Sequence, residues 1–214
     1  MLGSIFKRNK TVRDDSPRIL GLGLGRSFEI DALLLRLLEE QTLTGVIAPT
    51  QIIRAAGSVC LDDTTIFRFY TDDEAFLQVV ARDGTSEENV TDVKLFHYYD
   101  TEDYSCESSW NDLLDKKIGV ETYHVADKSF HRVWKAAGSY HKPVYMKETT
   151  FDSSLEHSET DQFVMLFERE LADGGFESLM LSAEESMEET GSLSRCLVTS
   201  TGISLSASQI VIHG

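Results

Sequence analysis

The feature that most constrains the fold is the stretch from Ile66 to Asp100, where three short runs rich in β-branched and aromatic residues are separated by acidic or glycine-containing breaks. The breaks lie at Asp72-Asp73 and, with an acidic loop after it, at Asp83-Gly84. Such runs are typical of strands, and short breaks of this kind are typical of turns between antiparallel neighbours. The stretch therefore predicts a meander around which the other elements can be placed.

Composition places the chain among ordinary globular proteins. Its 214 residues suffice for a sizeable core, and a hydrophobic share of 41% with a charged share of 26% is not the composition of a disordered chain. The formal net charge of −16 disfavours nucleic acid and anionic membrane surfaces as partners. It favours cationic partners: a basic protein, polyamines or divalent metals. The three cysteines match no zinc or disulfide pattern, so we expect a reducing cytoplasm.

The N-terminal residues 1–18 differ from the rest of the chain. They carry an excess of Lys and Arg, end near Ser16-Pro17 and lack the apolar core of a signal peptide. We expect a flexible basic tail, followed by a single domain over residues 19–214. The linker at 136–143 allows a subdivision of that domain. No apolar run approaches the ~18 residues of a membrane helix, so no integral membrane segment is predicted.

Helices and a further strand are predicted around the meander. Asp31 is placed to cap a helix over residues 32–40 that is covered on most sides, and a second helix is expected around Trp110 to Lys116. Gln51 to Leu61 is predicted to be a strand with a bulge at Gly57.

The last third is again rich in strand patterns. Pro143 favours an edge strand over 144–150, and Asp173-Gly174-Gly175 predicts a hairpin. A charged loop is expected over residues 184–191. The predicted fold class is α+β, predominantly antiparallel β, with meander or sandwich-like sheets and two or three short helices.

The densest polar cluster surrounds His97. Carboxylates beside an imidazole can hold a divalent metal or perform acid–base chemistry, which makes Asp72, Asp73, His97 and Asp100 candidate metal ligands. If the strands that carry them are adjacent and antiparallel, however, the two groups of carboxylates lie at opposite edges. They are then solvated turns that flank buried strands.

A second acidic group lies near the C-terminus and comprises Glu184, Glu185, Glu188 and Glu189. Such a run is usually a solvated loop. The alternative is a docking patch for a basic protein partner.

Motifs of catalysis and cofactor binding are missing from the sequence. Gly21, Gly23 and Gly25 form a G-x-G-x-G pattern, which lacks the spacing of the dinucleotide fingerprint. Neither H-E-x-x-H nor G-x-S-x-G occurs. We therefore predict no catalytic residue and no cofactor.

Four segments resemble one family. The run A-G-S-V-C-L-D-D-T-T-I-F-R-F-Y-T-D-D-E-A-F-L-Q-V at 56–79 is similar to the YjfK-like proteins, a bacterial family of unknown function, as are 21–31, 93–101 and 131–134. The resemblance implies a cytoplasmic protein without an assigned activity. Genes of this family often lie beside those of phage-shock-A-like membrane-associated proteins, which implies a helper role in envelope stress.

Two functional hypotheses follow. The first is a non-enzymatic interaction or accessory protein whose acidic surface docks a basic partner. The alternative is a metal-dependent enzyme, or a metal- or polyamine-binding protein, that uses His97 and nearby carboxylates. The oligomeric state is left open.

Overall fold

The structure is a computed structural model that describes residues 15–45, 47–188 and 191–213. These residues form twelve strands and two helices, with short 3₁₀ turns. The strands are β1 (Ser27–Ile30), β2 (Thr50–Leu61), β3 (Thr64–Thr71), β4 (Ala75–Arg82), β5 (Val90–Asp103), β6 (Thr122–Val125), β7 (Lys128–Arg132), β8 (Val144–Phe151), β9 (His157–Glu170), β10 (Phe176–Met187), β11 (Leu193–Ser204) and β12 (Ile210–His213). The helices are α1 (Ala32–Glu39) and α2 (Glu107–Asp112), and a π-helical turn (Leu113–Lys117) continues α2. None of these helices combines the length and apolarity needed to cross a membrane.

The predicted meander is confirmed. Strands β2 to β5 pair in chain order, each antiparallel to the next. The connections are tight because Asp62, Glu74 and Asp83 adopt left-handed backbone conformations, with φ of 46°, 51° and 58°. A second meander, β8 to β11, has the same antiparallel order.

The two meanders close on each other. β5 pairs with β11 and β2 pairs with β8, so eight antiparallel strands form a ring. The predominantly antiparallel β class is confirmed, but the sandwich-like arrangement is wrong because the sheets form a closed barrel. The edge position predicted for 144–150 is also wrong, since β8 bonds to a strand on both sides. Pro143 precedes that strand and so removes no hydrogen bond from it.

The linker at 136–143 joins β7 to β8. The barrel takes four strands from each side of this linker, so the two meanders are halves of one ring. Of the tail predicted over 1–18, residues 1–14 lie outside the described residues. Ser16, which is described, is buried.

Apolar layers cover the barrel on two outer sides. One layer contains Phe28 of β1 and Phe67 of β3, together with inward-facing leucines of α1. The other contains Trp110 of α2 and Phe130 of β7, packed on β9, β10 and β11. Both layers bury side chains of alternating strand positions, as expected for a pleated surface.

Helix α1 begins where the sequence predicts. The Asp31 carboxylate accepts a hydrogen bond from the backbone N–H of Leu33 at 2.8 Å, which caps the first turn. The expectation that the helix is covered on most sides is wrong. Leu33 and Leu37 are 64% and 60% exposed, because only one face of α1 reaches the barrel.

The inside of the barrel is apolar only in part. An inward-facing apolar belt comprises Val59, Ile66, Phe76, Phe96, Met146, Val164 and Met180. Other inward positions carry polar and charged groups, of which Arg68 and Glu148 are almost completely buried. Buried charge is costly and therefore marks the lumen as the place to look for a site.

Candidate functional site

Arg68 lies in the middle of β3 and at the centre of the lumen. Its neighbours Phe67 and Phe69 face the outer layer beneath α1, so strand alternation turns Arg68 inward. Its side chain is only 2% exposed. The Nη1 group donates to Oε2 of Glu148 at 2.7 Å and to Oε1 of Gln162 at 2.6 Å.

Glu148 of β8 is the counter-ion and is 1% exposed. Its Oε2 also accepts from Nε2 of Gln162 at 2.9 Å, and its Oε1 accepts from the Tyr70 hydroxyl at 2.8 Å. On the cationic side, Nε of Arg68 donates to Oε1 of Gln78 at 3.1 Å. These extra hydrogen bonds are what a buried pair requires, because attraction alone does not offset the desolvation of two ions.

Two members of this network, Arg68 and Tyr70, each keep a single protonation state. Burial raises the pKa of the Tyr70 hydroxyl well above its usual value, and the negative Glu148 acts in the same direction. Burial works to lower the pKa of Arg68, but Glu148 and Tyr70 outweigh it and raise that pKa. Arg68 is therefore charged and Tyr70 neutral throughout the pH range of a folded protein.

The ion pair divides the lumen into two cavities. Arg68 lines a cavity of about 510 Å³ that opens near the β2–β3 turn, here called the larger cavity. Glu148 lines a cavity of about 420 Å³ at the opposite end, here called the smaller cavity. The pair thus presents its positive group to one cavity and its negative group to the other.

The larger cavity has mainly apolar walls. They are formed by Leu61, Ile66, Val80, Trp134, Val144, Met146, Val164, Leu166 and Met180. Lys94 adds a second cation, whose Nζ donates to Oγ of Ser204 at 2.9 Å and to Oε1 of Glu168 at 3.2 Å. Burial raises the pKa of Asp92 on the same wall, and Glu168 contributes to that rise. The cavity therefore combines an apolar body with a few fixed polar groups.

The smaller cavity is more polar. Its walls include six residues that carry hydroxyl groups: Tyr70, Tyr98, Thr101, Thr150, Ser158 and Thr160. Its second carboxylate belongs to Glu184 of β10, whose Oε1 accepts from the Ser182 hydroxyl at 2.9 Å and from Nε2 of Gln162 at 3.2 Å. Burial raises the pKa of Glu184.

The predicted metal ligands do not form a common site in the described part of the chain, where no three His, Cys, Asp or Glu side chains gather closely enough to hold an ion. Asp73 accepts from the backbone N–H of Ala48 at 2.7 Å, and Asp72 accepts from that of Ile52 at 3.0 Å. These carboxylates hold the start of β2.

His97 and Asp100 are placed differently from these carboxylates. The His97 ring packs against Gly45 on the outer face, and Asp100 accepts from the backbone N–H of Thr101 at 2.9 Å. The condition for opposite edges, that the two strands are adjacent and antiparallel, is not met. Because β4 lies between β3 and β5, the β3–β4 turn meets β5, and the Tyr98 N–H donates to the Glu74 carbonyl at 3.0 Å.

The second acidic group is not the charged loop that was predicted. Glu184 and Glu185 belong to β10, which extends to Met187. Glu184 faces the smaller cavity, whereas Glu185 accepts from Nε of Arg195 at 2.5 Å. Glu188 is exposed at the β10–β11 turn, and Glu189 lies outside the described residues.

Sequence reasoning missed the central network of Arg68, Glu148 and Gln162. One signal was available for the cation. In I-F-R-F-Y the arginine interrupts a strand whose two faces are both apolar, which indicates a buried charge that needs a partner. No local pattern identifies Glu148 as that partner, because it comes from the other meander.

Comparisons with known proteins agree with the resemblance seen in the sequence. The family model described as protein of unknown function (DUF2491) matches residues 1–211. The chain is also 28% identical over 209 residues to the uncharacterized protein YjfK of Escherichia coli strain K12, and the match covers 94% of this chain and 95% of that protein. No solved structure matches the chain significantly. The chain belongs to the DUF2491 family of proteins of unknown function.

Proposed function

We propose that this chain is a non-enzymatic binding protein whose ligand is a small, largely apolar molecule held in the larger cavity. Apolar walls with a few polar groups are the usual composition of a small-molecule site, and eight-stranded barrels can hold one small ligand. With ~30 Å³ for each water-sized group, a cavity of about 510 Å³ accommodates about 17 non-hydrogen atoms.

The observation that carries the proposal is the charged guanidinium of Arg68 on the wall of a mainly apolar cavity. Its Nε and Nη1 groups donate to Gln78, Glu148 and Gln162, and none of these three hydrogen bonds uses Nη2. Arg68 lines the larger cavity. A ligand oxygen that enters the cavity and accepts from Nη2 would gain affinity, because hydrogen bonds from charged donors are stronger than those between neutral groups.

The charges around the larger cavity favour a neutral acceptor over a carboxylate. Both cations of the wall, Arg68 and Lys94, already have carboxylate partners. Asp62, Asp63 and Asp92 add negative potential at the rim and on the wall. A carbonyl, ether or hydroxyl oxygen can accept from Nη2 without the repulsion that a second anion would meet.

A neutral fluorescent probe of about the size of the cavity, N-phenyl-1-naphthylamine, tests this function. Its emission rises in apolar surroundings, so binding is read directly by titration. We expect saturable binding, and we expect n-decanol to displace the probe at lower concentration than decanoate does. A decanoate that competes better than the alcohol would contradict the neutral acceptor.

Three variants locate the binding. Val80→Phe fills the larger cavity and should abolish probe binding. Arg68→Lys keeps the charge but removes Nη2, and should weaken the binding of n-decanol by roughly tenfold. Val211→Phe, at an exposed position of β12, is the matched control and should change neither the binding of the probe nor that of n-decanol. Probe binding that survives Val80→Phe would contradict the assignment.

An acidic docking surface is a second proposal, favoured by the exposed end of β5. Asp100, Glu102 and Asp103 are all exposed there. Asp100 and Glu102 lie on the outer face of β5, and Asp103 lies on its other face at the strand end. These exposed carboxylates suit a basic partner protein better than Glu184 or Glu185, which bond inside the protein or to Arg195. The resemblance to YjfK-like proteins supports a cytoplasmic accessory role in envelope stress, with nucleic acid disfavoured by the net charge of −16.

The docking proposal is tested by the salt dependence of retention. Basic proteins should be retained on the immobilised chain at low ionic strength and released as the Debye length shrinks. The variant D100N/E102Q/D103N should lose this retention. Retention that resists salt and the triple variant alike would argue against the docking surface.

A further inference from the structure

Glu184 is a half-buried lumen carboxylate that has no cationic partner in the described part of the chain. The two fully buried glutamates, Glu148 and Glu177, each pair with an arginine. Glu184 instead accepts only from two neutral donors, the Ser182 hydroxyl and the Gln162 amide. Among the described residues it therefore forms no ion pair, and the charge of Arg68 acts on it only from a distance.

The surroundings of Glu184 also determine how costly its ionised form is. Burial raises its pKa; the hydrogen bond from Ser182 and the more distant charge of Arg68 oppose this rise, and the negative Glu148 adds to it. On the neighbouring strand, burial and Glu184 together raise the pKa of the Cys196 thiol to about 11. A cation beside Glu184 would relieve the cost of keeping this carboxylate ionised.

The smaller cavity supplies the remaining contacts that an organic cation needs. It holds about 420 Å³ and is open to solvent at one end, so a ligand can enter. The rings of Tyr70 and Tyr98 line it, and aromatic faces attract cations. Hydroxyl oxygens of Thr150 and Thr160 lie on its walls as further acceptors.

We propose that the smaller cavity binds a primary ammonium group on a short aliphatic chain, with Glu184 as its counter-ion. An ammonium has three donors, which suit one carboxylate and neighbouring hydroxyl oxygens. A divalent metal fits less well, because it requires several converging oxygen or nitrogen ligands and the described residues offer no group of three. The site is independent of the larger cavity, since the Arg68–Glu148 pair separates the two.

Isothermal titration of the full chain with n-butylamine tests the proposal, and n-butanol serves as the uncharged analogue. We expect butylammonium to bind and butanol not to bind. Glu184→Gln should weaken the binding of butylammonium by about tenfold or more, because a charge-assisted hydrogen bond is lost. Glu184→Asp, which keeps the charge, should retain part of the affinity.

Glu185→Gln is the matched control. Glu185 is the next residue of the same strand, faces the other side and pairs with Arg195, so its replacement should leave amine binding unchanged. N-phenyl-1-naphthylamine should bind Glu184→Gln as it binds the wild type, which shows that the barrel is intact. Butanol that binds as tightly as butylamine, or an equal loss of amine binding in both glutamine variants, would overturn the site.

The ammonium group could belong to a free amine or to a lysine side chain of a partner. Lysine blocked at both its α-amino and carboxyl groups separates these sources in the same titration. Binding of butylamine and of the blocked lysine supports a cavity that reads the ammonium itself. Binding of the blocked lysine alone, still lost in Glu184→Gln, supports a partner side chain. Binding of neither overturns the proposal.

Discussion

Gly57 of β2 lies directly against the carboxylate of Glu148 of β8, so the missing side chain of the glycine is the space that the carboxylate occupies. A Cβ on Gly57 would overlap Oε1 of Glu148 and lie 3.1 Å from Oγ1 of Thr150. β2 and β8 form one of the two seams that close the barrel. Barrel closure and the central ion pair therefore depend on the same position.

Gly57→Ala should destabilise the protein by about 2–3 kcal/mol, because the added methyl group overpacks the lumen and displaces Glu148 from Arg68. The free energy of unfolding in urea measures this loss. Gly138→Ala is the control, since a Cβ there meets no atom within 4 Å and should change the stability by less than about 0.5 kcal/mol. A similar loss in both variants would contradict the close approach.

The sequence marks Gly57 as special but suggests the wrong reason. A glycine inside a strand indicates either a bulge or a close approach of another group. The bulge of β2 lies between Ile53 and Ala55 instead, and Gly57 serves the close approach. That choice could not be made from sequence, because the approaching residue, Glu148, lies in the second meander.

Removing one member of the Arg68–Glu148 pair should cost more than removing both. Glu148→Gln leaves an almost completely buried guanidinium without its counter-ion and should cost about 3–5 kcal/mol. The double variant R68M/E148L replaces the pair with apolar side chains and should recover most of that loss. Urea unfolding of the wild type, R68M, E148L and R68M/E148L gives the coupling energy.

The exposed pair of Lys147 and Glu159 is the control for this cycle. Both side chains are about half exposed, at 49% and 55%. Lys147→Met should change the free energy of unfolding by less than about 1 kcal/mol, because solvent screens the interaction. Additive losses in the buried pair, with no recovery in R68M/E148L, would contradict its isolation from water.

Local patterns predict much of the fold and little of the site. The meander from β2 to β5, the hairpins and the Asp31 cap follow from residues close in sequence, and the structure confirms them. The seams of β2 with β8 and β5 with β11 join distant segments, and nothing local specifies them. Polar residues at inward positions of the lumen also break the apolar alternation, which is why the end of β10 at Glu184 was predicted to be a loop.

Glu177 should fix the connection between α1 and β2 to the outside of the barrel. Its Oε1 accepts from the backbone N–H groups of Leu43 and Thr44 at 2.6 and 2.9 Å, and its Oε2 accepts from Nε of Arg169 at 2.7 Å. Glu177→Ala should cost about 3 kcal/mol, because it leaves two backbone donors and one cation without their acceptor. Hydrogen exchange at Leu43 and Thr44 should accelerate more than exchange in β3.

Glu170→Ala provides the comparison, because Glu170 is exposed in the neighbouring strand. It should change the free energy of unfolding by less than about 0.5 kcal/mol, and it should leave hydrogen exchange at Leu43 and Thr44 unchanged. If hydrogen exchange at these two amides is unchanged in Glu177→Ala, the hydrogen bonds to Glu177 do not fix the connection between α1 and β2.

Because the pKa of Glu184 is raised, the contribution of this residue to the stability of the protein should fall as the pH rises through the acidic range. Burial, against the opposing effects of the Ser182 hydrogen bond and the Arg68 charge, raises this pKa in the folded state above the ~4.3 of an unfolded glutamate. The folded state then binds the proton more tightly than the unfolded state does. Stability from this group is therefore greatest below the unfolded pKa and declines until the pH exceeds the folded pKa.

Glu184→Gln isolates this effect, because the amide cannot ionise and other carboxylates cancel in the comparison. At neutral pH the variant should be more stable than the wild type, and the two should converge near pH 4. Urea unfolding across this range measures the difference. Glu185→Gln should show no such gain, because it removes the acceptor of Arg195. A difference between Glu184→Gln and the wild type that does not vary with pH would contradict the raised pKa.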